Sequence, residues 1–178
     1  EPIRLRGPMR KGRGILPLPG HTQRIEGLPA TLARNPYGAL RMSDGPHYIA
    51  IQAYPGPSTP RDAPPSAGDL QIPAQEAALL AGIVAERGLD KLPPGQAIAA
   101  IRDYFAEGFA YSLILRRPPD SQATPLGYFL RESRAGHFEY FATATVLLLR
   151  SAGIPARYAV GYAVQEPGLW TDEYLIRR

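Results

Sequence analysis

Apolar positions repeat every second residue in one clear stretch within the first third of the chain and every third or fourth residue after it. In His47–Ala53, Tyr48, Ala50 and Gln52 alternate with Ile49, Ile51 and Ala53, the two faces of a strand. Ala39–Met42 is a second apolar-rich run, and the Ser43-Asp44-Gly45-Pro46 step between the two predicts a hairpin, with glycine supplying the positive φ of its turn. Ile3–Leu5 and Ile15–Leu18 are shorter strand candidates, the second limited by Pro17 and Pro19. Residues 1–54 therefore read as a β-rich segment.

The period then changes. Ala77, Leu80, Ala81 and Val84 recur at helical spacing between Pro73 and Gly88. A second helix is predicted from Pro93-Pro94 to Gly108, with Ile98, Ile101 and Phe105 as its buried stripe. Phe109–Leu115 reads as extended, Arg116–Pro125 as a proline-bearing loop, and Tyr128-Phe129-Leu130 as an apolar anchor. From Phe138 to Ala152 the chain is apolar almost all round, its polar stripe being Glu139, Thr143 and Arg150. Such a helix forms the core of its domain. Gly153 and Pro155 end it, Ala156–Val164 and Glu173–Arg178 read as strands, and Glu166-Pro167-Gly168 falls in the turn between them. Neighbouring strands of this kind are expected to pair antiparallel.

Composition places a boundary between these halves. Residues 55–68 are rich in Pro, Ser and Gly and can form no core, and residues 1–66 hold twelve of the twenty prolines. The expected division is a proline-rich β segment over 1–66, with its linker at 55–68, and an α+β core over 67–178. The chain opens at Glu1 without Met and stops inside an expected strand, so it reads as a piece of a longer protein.

Charge is uneven: residues 1–66 carry nine Lys/Arg against four Asp/Glu, and residues 67–178 eleven against twelve. The cluster Arg4, Arg6, Arg10, Lys11 and Arg13 lacks the interleaved aromatics of a nucleic-acid reader, so no nucleic-acid partner is expected. No apolar run is long enough to span a bilayer. There are no cysteines, which removes disulfides, thiolate–zinc sites and cysteine nucleophiles together. His21, His47 and His137 form no paired metal-ligand spacing, and no phosphate-binding glycine loop is present, so neither metal nor cofactor is expected. Ser133 and Ser151 lie in no Gly-x-Ser-x-Gly elbow.

The start of the central helix is where an enzyme can place a nucleophile, because unpaired N–H groups there favour negative charge. The residue at that start is Phe138. Around it stand Gly136, His137, Glu139, Phe141, Ala142, Thr143 and Ala144, then Arg150, Gly153-Ile154-Pro155-Ala156-Arg157 and Gly161-Tyr162. This resembles the core motif of the bacterial transglutaminase-like superfamily, Gly-x-Cys-Glu-x-Phe-Ala-Ser/Thr-Ala, an apolar run, Arg-x-x-Gly-Ile-Pro-Ala-Arg and a strand ending Gly-Tyr. With the helical lead-in and Phe109–Leu113 the resemblance covers roughly residues 68–178.

The resemblance implies a papain-like α+β fold, a central helix packed on an antiparallel sheet. It also implies a Cys-His-Asp triad for thiol-dependent acyl transfer or amide hydrolysis on protein or peptide substrates. Phe138 occupies the cysteine position, and the family's His and Asp are expected after a strand like Glu173–Arg178, where the chain stops. No member of the triad is in place. His137, Phe138, Glu139 and Trp170 are the cleft candidates. His137 is also explained as a helix-start residue, Glu139 as a first-turn carboxylate favourable to the helix dipole, and Trp170 as a cap on the sheet.

Three readings follow from the residues. The chain is an inactive relative that binds a peptide in the old cleft, or an active enzyme in its full-length parent with Phe138 an introduced change, or an interaction or spacer ectodomain. The first is preferred. By resemblance alone, the parent would be a bacterial, membrane-anchored protein with this part outside the cytoplasm.

Overall fold

The computed structural model of the chain describes residues 1–56, 63–114, 124–162, 164–168 and 174–176. These fall into two compact units, one of residues 1–64 with 160–178, the other of residues 65–159.

Residues 1–64 of the first unit contain, among the described residues, six strands in two three-stranded antiparallel sheets. Strands β1 (Ile3–Pro8), β6 (Tyr48–Pro55) and β3 (Thr22–Glu26) form one sheet in the order β1-β6-β3. Strands β2 (Gly14–Ile15), β5 (Leu40–Asp44) and β4 (Thr31–Arg34) form the other in the order β2-β5-β4. The alternation expected for His47–Ala53 is present: Ile49, Ile51 and Ala53 are buried while Tyr48, Ala50 and Gln52 face outward. Met9, Leu16, Met42, Ile49 and Ile51 make the core. Strands β3 and β4, polar and exposed along most of their length, give no clear apolar alternation and are missed in the sequence.

The hairpin expected across Asp44-Gly45 does not form. Strand β5 pairs with β2 and β4, whereas β6 pairs with β1 and β3, so the step from Asp44 to Tyr48 passes the chain from one sheet to the other. Gly45 has no positive φ. It is needed for space: a Cβ there would lie 2.5 Å from Met42 Sδ and 2.8 Å from the Ala30 methyl. The residue therefore serves close packing, not a turn of the type a two-residue hairpin requires.

In the second unit, α1 (Ala74–Arg87), α2 (Pro94–Ala106) and α4 (Phe138–Ser151) surround one apolar core. Helix α1 stops at Gly88, which has φ 62°. Its inward stripe is Glu76, Leu80, Ile83 and Val84, and Ala77 and Ala81 are exposed. On α2 the inward residues are Ala97, Ile101 and Tyr104, while Ile98 is 52% exposed. Leu80, Val84 and Ile101 hold their expected inward places and Phe105 packs on the core, whereas Ala77, Ala81 and Ile98 turn outward; on α1, small alanine side chains fix the helical phase only weakly. The short helix α3 (Pro125–Tyr128) continues as a π turn over Phe129–Ser133, and Phe129 and Leu130 are fully buried anchors. Strand β7 (Ala110–Tyr111) pairs in parallel with β8 (Ala135–Gly136).

The strand expected over Ala156–Val164 is not formed among its described residues. Its first backbone groups are taken by other partners: Ala156 N–H donates to the Asp69 carbonyl at 3.0 Å, and Arg150 Nε donates to the Ala156 carbonyl at 2.9 Å. Beyond it, β9 (Glu166–Pro167) pairs antiparallel with β10 (Tyr174–Leu175), so Glu166 and Pro167 are strand residues and not the turn expected there. The α+β class holds. Among the described residues no helix is long and apolar enough to cross a membrane.

Candidate functional site at the start of α4

Helix α4 begins at Phe138, with His137 as its N-cap. His137 Nδ1 accepts a hydrogen bond from the Glu139 N–H at 3.2 Å, satisfying one donor that the helix itself leaves unpaired. The proton of the neutral imidazole therefore sits on Nε2, which lies 3.9 Å from the Glu139 carboxylate. His137 thus stands at the helix start, where the sequence placed it, and its capping bond is a feature the structure adds.

The position of the helix start is set from beneath by aromatic packing. Phe129, 1% exposed, lies 5.3 Å from the Tyr140 ring and 5.1 Å from the Phe141 ring, centre to centre, and both belong to the first turn of α4. Phe105 and Phe109 complete the cluster, with Phe105 edge-on to Phe141 at 5.3 Å. Such tilted and edge-to-face pairs add specific orientation to apolar burial. Gly136 lets the cluster close: a Cβ there would lie 3.1 Å from the Phe129 ring and 3.2 Å from Tyr140 Cβ.

From the side, β7 and β8 hold the segment entering the helix. Tyr111 pairs with Gly136, and the Ser112 N–H donates to the Gly136 carbonyl at 2.9 Å. The result is a helix start fixed in position with an open outer face. Phe138 is 62% exposed, its ring 5.6 Å from that of His137, and Tyr111 is 63% exposed. The Glu139 carboxylate also faces solvent. His137, Phe138 and Glu139 are thus brought together; Trp170 lies outside the described residues.

The other members of the polar stripe serve elsewhere. Thr143 and Arg150 line a groove of about 530 Å³ with Ile72, Pro73, Val146 and Tyr158. Arg150 spends its guanidinium on backbone carbonyls, Ala156 through Nε and Gln71 through Nη1, each at 2.9 Å. It fastens the exit of α4 to the segment that precedes α1.

Asp69 and Glu76, two nearly buried carboxylates, were not singled out in the sequence. Asp69 Oδ2 accepts from the Ser66 N–H at 2.7 Å and from the Ser66 hydroxyl at 2.9 Å, and both its oxygens accept from Arg157. The Arg157 guanidinium, followed by the Ser66 N–H, holds the Asp69 carboxyl far below the usual carboxylate range. Glu76 accepts from the Thr124 hydroxyl at 3.0 Å. The Ser66-x-x-Asp69 spacing is a capping-box pattern and was the available signal, masked by the proline-rich stretch before it.

A family model described as the transglutaminase-like superfamily matches residues 83–175. Two curated proteins share 37% identity with the chain over 70 residues: the uncharacterized protein YebA of Bacillus subtilis and a protein-glutamine gamma-glutamyltransferase of Pseudomonas aeruginosa. Each match covers 39% of this chain and 10% of the relative, so the matched stretch is about a tenth of the length of those proteins. The crystal structure of the periplasmic domain of TgpA from Pseudomonas aeruginosa superposes with TM-score 0.68 at 21% identity, over 98% of this chain and 62% of that one. The same domain bound to ethylmercury gives 0.60 at 21% identity, over 86% and 56%. At this identity the likeness is one of fold.

Proposed function

The chain belongs to the transglutaminase-like superfamily, and we propose that it keeps the family's nucleophile platform as a peptide-binding surface without the nucleophile. The observation that carries this reading is Phe138. It is the first residue of α4, where the family pattern has cysteine, and it is 62% exposed.

The family's chemistry begins with a thiolate at the helix start adding to a carboxamide or peptide carbonyl. The C–N bond breaks, the amine leaves, and the acyl group passes from sulfur to a second amine or to water. This chain has no cysteine, so no acyl-thioester forms on it. What the platform retains is non-covalent: an exposed phenyl ring, an exposed carboxylate at Glu139 and a rigid base of packed aromatics. The exposed Phe138 ring, with exposed Tyr111 on the strand paired beside its helix start, leaves aromatic surface that a partner can cover, which supports a binding role over that of a spacer. Residues 67–178 are the core of this reading and residues 1–66 its preceding β segment. The Pseudomonas aeruginosa relative is a periplasmic domain, and the same placement is proposed here.

The test is twofold. Incubated with an amine and glutamine-containing peptides, the chain is expected to give no transfer and no deamidation; turnover retained in Phe138→Ala would reveal a different nucleophile and contradict the reading. Titration of the same peptides is expected to show saturable binding, weakened by Phe138→Ala at least about fivefold, as for loss of a buried aromatic contact. Absence of binding, or binding unchanged by Phe138→Ala, leaves the spacer reading in its place.

A further inference from the structure

We propose that one edge of the β unit docks on an anionic phospholipid surface. The topology places that edge. Strand β1 is an outer strand of the first sheet, β2 is an outer strand of the second, and the Arg10–Gly12 turn joins them directly. Their outer neighbours at the far side, β3 and β4, are joined by the other connection.

Charge is distributed between these two edges very unequally. Residues 2–25 contain Arg4, Arg6, Arg10, Lys11, Arg13 and Arg24 and no acidic residue. The first five lie on β1, its turn and the entry to β2, and all five are exposed. Leu5 pairs with Ile51 and turns inward, so Arg4 and Arg6, opposite Gln52 and Ala50, project from the outer face. Across the sheet on β3, Arg24 is neutralised locally: it lies 2.7 Å from Glu26 and stacks 3.9 Å over the Tyr54 ring. Leaving Arg6 aside, Arg4, Arg10, Lys11 and Arg13 concentrate positive charge on the β1–β2 edge among the described residues.

Exposed apolar side chains accompany it. Ile3 and Ile15, at the outer ends of the same two strands, are 42% and 58% exposed, and Tyr48, opposite Pro8, is 58% exposed. Guarding an edge strand against pairing needs a charge or two and is weakened by apolar residues. Cations flanked by exposed aliphatic side chains, with the Tyr48 ring on the neighbouring strand, match instead the interface of an acidic bilayer, where guanidinium and ammonium groups meet phosphates and the apolar groups enter the headgroup layer. Nucleic acid fits less well, since β1, β2 and the turn that joins them carry no aromatic side chain on which a base could stack. The docking is independent of the peptide-binding reading of α4, because its residues lie in the other unit.

Vesicle co-sedimentation tests it with the chain as it stands. Binding is expected to vesicles of phosphatidylcholine with about one third phosphatidylglycerol, to be absent with phosphatidylcholine alone, and to fall steeply as salt screens the surface. Arg10→Ala, Lys11→Ala and Arg13→Ala together are expected to weaken it at least about tenfold, with Ile15→Asn adding to the loss. Arg34→Ala, on the far edge, is the folded control and is expected to change it less than about twofold. No binding to the acidic vesicles, equal losses in the triple variant and the far-edge control, or stronger retention by heparin than by vesicles would each overturn the proposal.

Discussion

Asp69 holds Arg157 with both carboxylate oxygens, Oδ1 accepting from Nε and Oδ2 from Nη2, each at 2.8 Å. Beside this fork the Ala156 N–H donates to the Asp69 carbonyl at 3.0 Å. Residues 88 positions apart in sequence are thereby fixed together, one before α1 and one after α4. The direction in which the chain leaves the central helix is set by this clamp, reinforced by Arg150, and not by strand pairing.

Removing the charge from the clamp leaves Arg157 facing a neutral amide in a site that is nearly closed to water. Asp69→Asn is expected to lower the melting temperature by about 5–10 °C, measured by circular dichroism. The pH dependence has a definite sign. The folded-state pKa of Asp69 is depressed, so the clamp's contribution is complete above the unfolded carboxylate value and is lost as pH falls through and below about 4. The unaltered chain is expected to lose stability in that window more steeply than Asp69→Asn.

Tyr104 gives the opposite sign. Its phenol is pushed up by burial and its hydroxyl donates to the Leu130 carbonyl at 3.2 Å. The neutral form is the one the fold accepts, so stability is complete below pH about 10 and declines as pH rises above it. Tyr104→Phe is expected to cost about 1 kcal/mol at neutral pH by denaturant unfolding and to remove that alkaline component.

Gly136→Ala tests how tightly the aromatic base holds the start of α4. The added methyl would press on the Phe129 ring and Tyr140 Cβ, both in the packed cluster. A loss of about 1–3 kcal/mol is expected, with changed near-ultraviolet circular dichroism, because neither neighbour is a flexible surface chain. An unchanged stability and spectrum would show that the helix start is not clamped as described.

Much of this was legible from the residues. The Gly136–Arg157 motif identified the superfamily, and the helix limits at Pro73, Gly88 and Pro94 followed from residues that restrict backbone dihedrals. Among the features that were not legible, three have a clear physical reason. The alanine-rich phase of α1 is set by its neighbours, since small side chains barely distinguish one face from another. The Asp44–Pro46 step looks like a hairpin turn, yet Gly45 is there to pass over Met42, a constraint visible only once two sheets stack. Strand formation after Pro155 was expected from composition, whereas Arg150 and Asp69 capture those backbone groups from distant positions. At the candidate site, the sequence identified His137, Phe138 and Glu139 but could not show that the ring of Phe138 stands open.

The most direct test of the account is to restore a thiol at the helix start. Phe138→Cys creates the single thiol of the chain, so alkylation by iodoacetamide reports that site alone. With the dipole of α4 behind it and His137 beside it, its pKa from the pH dependence of the rate is expected about one unit or more below the ordinary value of about 8.5. Ala78→Cys, exposed in the middle of α1, serves as the reference and is expected near that ordinary value. A depressed pKa at position 138 alone supports a preserved nucleophile platform lacking its reactive atom. Equal pKa values at 138 and 78 would contradict it.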